Sequence, residues 1–221
     1  MSASARPDSA VRPEFGPSLP QLLRARLGVP PLVSRAIAAA LVLAAVVVAL
    51  LLRGNDVQLV HRSPPVFNLR YASVLHRSPP SPGVLLDLEG RRGDLFVQSL
   101  TIRPLHLPAY RGSVSGMLPV YAEPHVRAVS RRYDGFVALE EGKARINDAP
   151  GYQVGFRARL GRRTIYGREI LLVPDQPGAR EGVVITVVQT HAAGAHSVDD
   201  VGTVGAIKKP FRSIAFGTEQ P

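Results

Sequence analysis

Five arginines, Arg157, Arg159, Arg162, Arg163 and Arg168, fall within twelve residues, and Glu169, next in the chain, is the only acid beside them. A guanidinium presents planar, forked donors that match the oxygens of a carboxylate or phosphate, so such a cluster suits holding an anion more than breaking a bond. The partners it fits are an acidic protein, an anionic phospholipid headgroup or a cell-wall polymer, held by contacts that weaken as salt rises. The same residues also fit an ordinary solvated sheet face in an arginine-rich chain. They are an expected anionic-partner patch, set against that alternative.

Other chemistry is thinly represented. Six histidines are present, and none forms a helical metal motif. His191 and His196 enter a Gly/Ala loop near Asp199 and Asp200 but lack a third fixed ligand. In Gly112-Ser-Val-Ser-Gly116 a valine holds the position a nucleophilic serine would need. Gly202-Thr-Val-Gly205, close to Lys208 and Lys209, lacks the strand-to-helix setting and remaining glycines of a phosphate loop. Glu140 and Glu141 adjoin on an expected strand, so they face opposite sides and make a poor acid/base pair. No catalytic, metal-binding or cofactor-binding residues are assigned, no cofactor is expected, and no nucleic-acid module is recognised.

The elements that would position the arginines begin with a membrane anchor. Ala36 to Leu52 is a run of seventeen apolar residues bracketed by Arg35 and Arg53. At about 1.5 Å per residue it approaches the length needed to cross a bilayer core, and a helix alone satisfies its own backbone there. No small-x-small cleavage site follows, so a signal anchor over 32–53 is expected, preceded by a disordered tail over 1–31 carrying a short amphipathic helix, Ser18 to Leu27. The short basic tail places the N-terminus in the cytoplasm and the large domain outside the cell membrane. The chain has no cysteine, which excludes disulfides, thiolate metal sites and a cysteine-linked lipid anchor. It carries 27 Lys plus Arg against 17 Asp plus Glu, a net charge of +10, and its Arg bias is associated with GC-rich bacterial genomes.

Beyond an expected linker over 54–65, residues 66–217 read as one domain. Two His-Arg-Ser-Pro-Pro copies, at 61–65 and 76–80, flank a strand expected over Val66–Val74. Strands are expected at Val84–Glu89 and Asp94–Arg103 around a Gly90–Gly93 turn. An amphipathic helix follows in 117–133, regular from near Glu123, with Leu118, Ala122, Val126, Val129 and Tyr133 on one face. Further strands are expected at Phe136–Ile146, Tyr152–Leu160, Thr164–Val173 and Val183–Thr190, with a turn over 147–151. Ser197 and Asp200 are expected to cap a helix that ends at Pro210, before a closing strand, Phe211–Phe216. One-sided alternation and hairpin-length turns indicate a mainly antiparallel sheet in an α+β domain.

The order of these elements, with the stretches Phe67-Asn-Leu-Arg-Tyr71, Ile146-Asn-Asp-Ala-Pro-Gly-Tyr152, Tyr166-Gly167 and Ile207-Lys-Lys-Pro-Phe-Arg-Ser-Ile-Ala-Phe216, resembles the PsbP-like superfamily over 66–217. That resemblance implies an α/β/α sandwich and an accessory or binding role with no shared catalytic residues to carry over. Its members include envelope lipoproteins of actinobacteria, whereas this chain would use its apolar helix. The expectation is a membrane-anchored binding module that recruits a protein or envelope component without catalysis. The alternative is an envelope hydrolase acting on polysaccharide or lipid, which would require convergent polar groups in a cleft.

Overall fold

The computed structural model describes residues 30–52, 56–79 and 81–218, and within the first helix the side chains of residues 33 and 35–47. The expected amphipathic helix at 18–27 lies outside these residues. The chain forms two units, one ending at Arg53 and the other beginning at Gly54.

The first unit contains helix α1, Pro31–Leu52, of 22 residues. Proline at its first position is preorganised for a helix and forfeits no internal hydrogen bond there. The apolar run Ala36–Leu52 lies wholly within it. On the described residues alone, no helix is long and apolar enough to cross a membrane; eight of the 22 side chains of α1 lie outside that count.

In the second unit the elements are β1 (Asp56–His61), β2 (Phe67–Ala72), β3 (His76–Arg77), β4 (Leu86–Arg92), β5 (Leu95–His106), α2 (Val114–Ser130), β6 (Asp134–Ile146), β7 (Ala149–Leu160), β8 (Arg163–Leu172), β9 (Glu181–Thr190), α3 (Lys208–Ser213) and β10 (Ala215–Phe216). Seven strands make an antiparallel sheet in the order β3-β4-β5-β9-β8-β7-β6, and β1-β2-β10 make a second sheet. Central strand β9 is buried at nine of its ten positions, which is why it reads as a continuous apolar run and not as an alternation.

The two faces of the large sheet are covered differently. Leu88, Leu100, Ile170, Ile185 and Val187 pack on one side with Phe67 and Leu69 of β2 and with Val201, Ile207 and Ile214. Helix α2 covers the other side, where Leu118 and Ala122 join Leu171 and Val184, and Val129 joins Phe156, Ile165 and Val188. The expected α/β/α layering therefore holds on the α2 side. Opposite, the layer is mainly the small sheet and a series of turns, its helical parts among the described residues being the six residues of α3 and the 3-10 turn His191–Ala193.

Several boundaries differ from those expected. Residues 56–61, placed in a linker over 54–65, form β1 and pair with β2 in continuous register from Asp56↔Ala72 to His61↔Phe67. The helix in 114–130 begins nine residues before Glu123 and contains both Pro119 and Pro124. Each proline removes a helical N–H, but full burial of Leu118 is worth roughly 1.5–3 kcal/mol and holds the early turns against the sheet. The hairpin turns are tighter than expected: Gly93-Asp94 links β4 to β5, and Asn147-Asp148 links β6 to β7, with Asn147 in the left-handed region at φ 51°.

The helix expected from Ser197 to Pro210 is a correction of kind. Residues 197–207 form turns, and the helix starts at Lys208, with Pro210 inside it. Asp200 accepts hydrogen bonds from the amides of His196 and Ser197 and from the Ser197 hydroxyl, so it closes a turn behind itself. Gly202 and Gly205, at φ +78° and +68°, leave the right-handed region and interrupt any helix. Phe211–Ser213, expected as strand, are helical, and β10 keeps only Ala215 and Phe216.

Candidate functional site

The arginine cluster sits on the β7–β8 hairpin, which closes through Gly161-Arg162 between Leu160 and Arg163. Alternation puts Arg157 and Arg159 on the face of β7 opposite buried Phe156 and Ala158. Leu160 pairs with Arg163, which places Arg163 on the Phe156 side, and its Nη1 donates to the Phe96 carbonyl at 3.4 Å. Arg162 is exposed in the turn. Arg168 is on the Arg157 side of the sheet, but only 13% of its side chain is exposed, and it pairs with Glu140 at 3.2 Å and Asp199 at 3.8 Å. The cluster is thus divided. Arg157 and Arg159 share a surface, Arg162 adjoins it, Arg163 faces the other way, and Arg168 is engaged in ion pairs.

Beside Arg157, its cross-strand partner Tyr166 stacks on His191 with ring centroids 5.8 Å apart, and His191 lies 5.0 Å from His196. Among the described residues no group of three or more His, Cys, Asp or Glu side chains is placed to hold a metal ion.

A second polar constellation escapes the linear reading. Direct register pairs run Asp87↔Thr101, Thr101↔Thr186 and Thr186↔Glu169, a row across β4, β5, β9 and β8 on the α2 side. Along β8 it separates Leu171 of one apolar cluster from Ile165 of the other, and along β9 Thr186 separates Val184 from Val188. Thr101 donates to Asp87 at 2.9 Å. Glu169 is 1% exposed, and neither of its oxygens completes a hydrogen bond, nor does Thr186 Oγ1.

Burial pushes the Glu169 carboxyl up to about 7, against smaller opposing pulls from the nearby Thr186 hydroxyl and from Arg103 and Arg132. The same setting lowers His125 on α2, first through burial and then through Arg103, and burial raises Tyr133. A carboxyl holding its proton near neutrality can act as an acid, but this one meets solvent only if α2 moves. The signal available in the sequence was a single acid on an otherwise apolar strand face: Ile165, Gly167, Glu169, Leu171.

Neither a family model nor a curated protein sequence matches the chain. Among solved structures, it is similar to LpqN of Mycobacterium tuberculosis, described as involved in cell envelope biogenesis, at 11% identity and a TM-score of 0.48 over 74% of this chain and 91% of that one. It is also similar to the cyanobacterial PsbP of Synechocystis sp. PCC 6803, at 9% identity and a TM-score of 0.46 over 74% and 94% of the two chains. The Ran-binding protein Mog1p of Saccharomyces cerevisiae gives 9% identity and a TM-score of 0.44 over 74% and 96%.

Proposed function

We propose that this chain is a single-pass, membrane-anchored binding module that holds its folded domain outside the cytoplasm and recruits a protein or envelope component without catalysis. The observation that carries this reading is the 22-residue helix α1. At about 1.5 Å per residue it is roughly 33 Å long, which matches a bilayer core of about 30 Å. Leu41, Val42 and Leu43 in its middle are more than half exposed. A helix apolar all round and left uncovered is suited to lipid.

Recognition is assigned to the surface of Arg157 and Arg159 with Arg162 at its edge, and the partner is anionic: an acidic protein, an anionic lipid or a cell-wall polymer. Arg163 and Arg168 contribute to the field of this surface but not to its contact face. The hydrolase alternative would draw on Glu169 as its acid, and that group is 1% exposed beneath α2.

Proximity crosslinking of the intact protein in its native membrane tests the reading. A reproducible set of adducts, reduced when Arg157, Arg159, Arg162 and Arg163 are changed to Gln, supports it. Adducts indistinguishable from those of an unrelated anchored domain contradict it.

A further inference from the structure

A cavity of about 900 Å³ opens where α3 meets the end of β2 and the Asn147-Asp148 turn. Arg70, Lys208, Lys209 and Arg212 line it, against Asp148 as the one acid of the lining. The chain has only three lysines, Lys143, Lys208 and Lys209, and two of them are here. Lys209 forms an ion pair with Asp56 at the start of β1. Lys208 and Arg212 are exposed and have no acidic partner among the described residues.

The frame is fixed. The Ser213 hydroxyl accepts from the Arg70 amide at 2.8 Å and donates to the Arg70 carbonyl at 3.0 Å, tying α3 to β2. Asn147 Nδ2 donates to the Ile214 carbonyl at 2.6 Å, closing the opposite wall. Ile207 and Pro210, both buried, hold the underside of α3. Ala72, Ala215 and Phe216 add an apolar lip. A concave basic site with an apolar edge suits a phosphate attached to something greasy.

Chain length bounds how far such a site can lie from the end of α1. Asp56 pairs with Ala72 on the rim and follows Leu52, the last residue of α1, by four residues. Four residues reach at most about 14 Å, whatever the orientation of the two units. If α1 spans the bilayer as proposed above, on which this inference rests, that edge of the cavity is tethered within about 14 Å of the end of the span, a reach that includes the headgroup layer.

We propose that this cavity binds the phosphate of an anionic phospholipid headgroup, so that the domain is docked on the membrane by its own base as well as tethered to it. Arg212 supplies a forked contact to phosphate oxygens, and Lys208 and Lys209 supply compact charges that neutralise it. Basic side chains this close to an anionic leaflet lie within the reach of its surface potential.

The three lysines make a footprinting experiment self-controlled. The full-length chain is reconstituted in nanodiscs of phosphatidylcholine alone or with phosphatidylglycerol added, and acylation by a water-soluble amine reagent is followed by mass spectrometry. The expected result is that Lys208 and Lys209 react about fivefold more slowly in the anionic discs. Lys143, exposed on β6, should keep its rate, high salt should remove the difference, and Arg212→Gln should reduce it.

Equal rates in the two kinds of disc, or equal slowing of Lys143, would overturn the proposal. Inorganic phosphate protecting both lysines as well in neutral discs would reassign the cavity to free phosphate and overturn the lipid. A chain washed off the discs at alkaline pH contradicts the span and with it the placement of the cavity. A chain that stays and shows no differential protection contradicts the cavity's role alone.

Discussion

Each face of the seven-stranded sheet buries an amide- or carboxyl-bearing side chain, Gln189 on one and Glu169 on the other, and the two are treated in opposite ways. Under the turns of residues 197–207, Gln189 is 0% exposed and fully engaged. Its Oε1 accepts from the Gly202 amide at 2.7 Å, and its Nε2 donates to the Val204 carbonyl at 3.0 Å and to Gln98 Oε1 at 3.3 Å. Under α2, Glu169 is equally buried, with both oxygens lacking a hydrogen-bond partner. A satisfied buried polar group specifies one arrangement of the segment it holds, whereas an unsatisfied one leaves a cost that depends on its protonation. The 197–207 turns are thus pinned to the sheet by polar contacts at Gln189, and the helix-covered face is held by apolar packing on either side of a polar row.

The largest effect should come from that apolar packing. Phe156 is 0% exposed, and its ring lies over Gly167, where an added Cβ would come within 2.2 Å of it. Phe156→Ala should cost about 3–5 kcal/mol in denaturant unfolding, by transfer and cavity terms together. A loss below about 1 kcal/mol would show that α2 is not held by the Phe156 cluster.

Gln189→Leu comes next. It strands the buried Gly202 amide and should cost about 2–3 kcal/mol. Hydrogen exchange should locate the loosening in 197–207 and leave α2 unaltered. Equal loosening of both faces would remove the distinction between them.

Glu169 gives an effect of opposite sign. Between its ordinary value of 4.5 and its folded value of about 7, the folded chain keeps a proton that the unfolded chain releases. Stability from this group is therefore intact below about pH 4.5, declines as pH rises through that window, and levels off above it, by up to roughly 3 kcal/mol. Glu169→Gln should flatten this slope and be more stable than the parent at pH 8. A parent whose stability is level from pH 5 to 8 would mean that the carboxyl is solvated or paired.

The smallest effect is expected at the hairpin. Changing Arg157, Arg159, Arg162 and Arg163 to Gln should shift stability by no more than about 0.5 kcal/mol, because these side chains are exposed. A large loss would make them structural and remove them from recognition.

Alternation in Tyr152–Leu160 and the spacing of Leu118, Ala122 and Val129 made the sheet face and the packing face of α2 readable in the sequence, because both are one-sided and buried. β1 was not readable, since its six residues are exposed or half-buried along their length and carry no strong pattern. The 197–207 segment reads as a helix in the sequence because Ser197 and Asp200 serve a turn as well as a helix cap, and the two left-handed glycines are the stronger signal. Sites followed the same logic. The arginines were conspicuous because they are close in sequence, yet folding divides them between two surfaces. Arg70, Asp148, Lys208 and Arg212 meet in one cavity from three distant segments, a convergence that no sequence window can display.

An anchored domain outside the cytoplasm is the core of the proposed function, and a chain without cysteine allows a direct test of it. Single substitutions Ser9→Cys in the tail and Ser81→Cys in an exposed loop each introduce a unique thiol. With a membrane-impermeant maleimide on intact spheroplasts, Ser81→Cys should label fully and Ser9→Cys only after permeabilisation. Labelling of Ser9→Cys with protection of Ser81→Cys would invert the topology, and release of both variants into the soluble fraction would contradict the anchor itself.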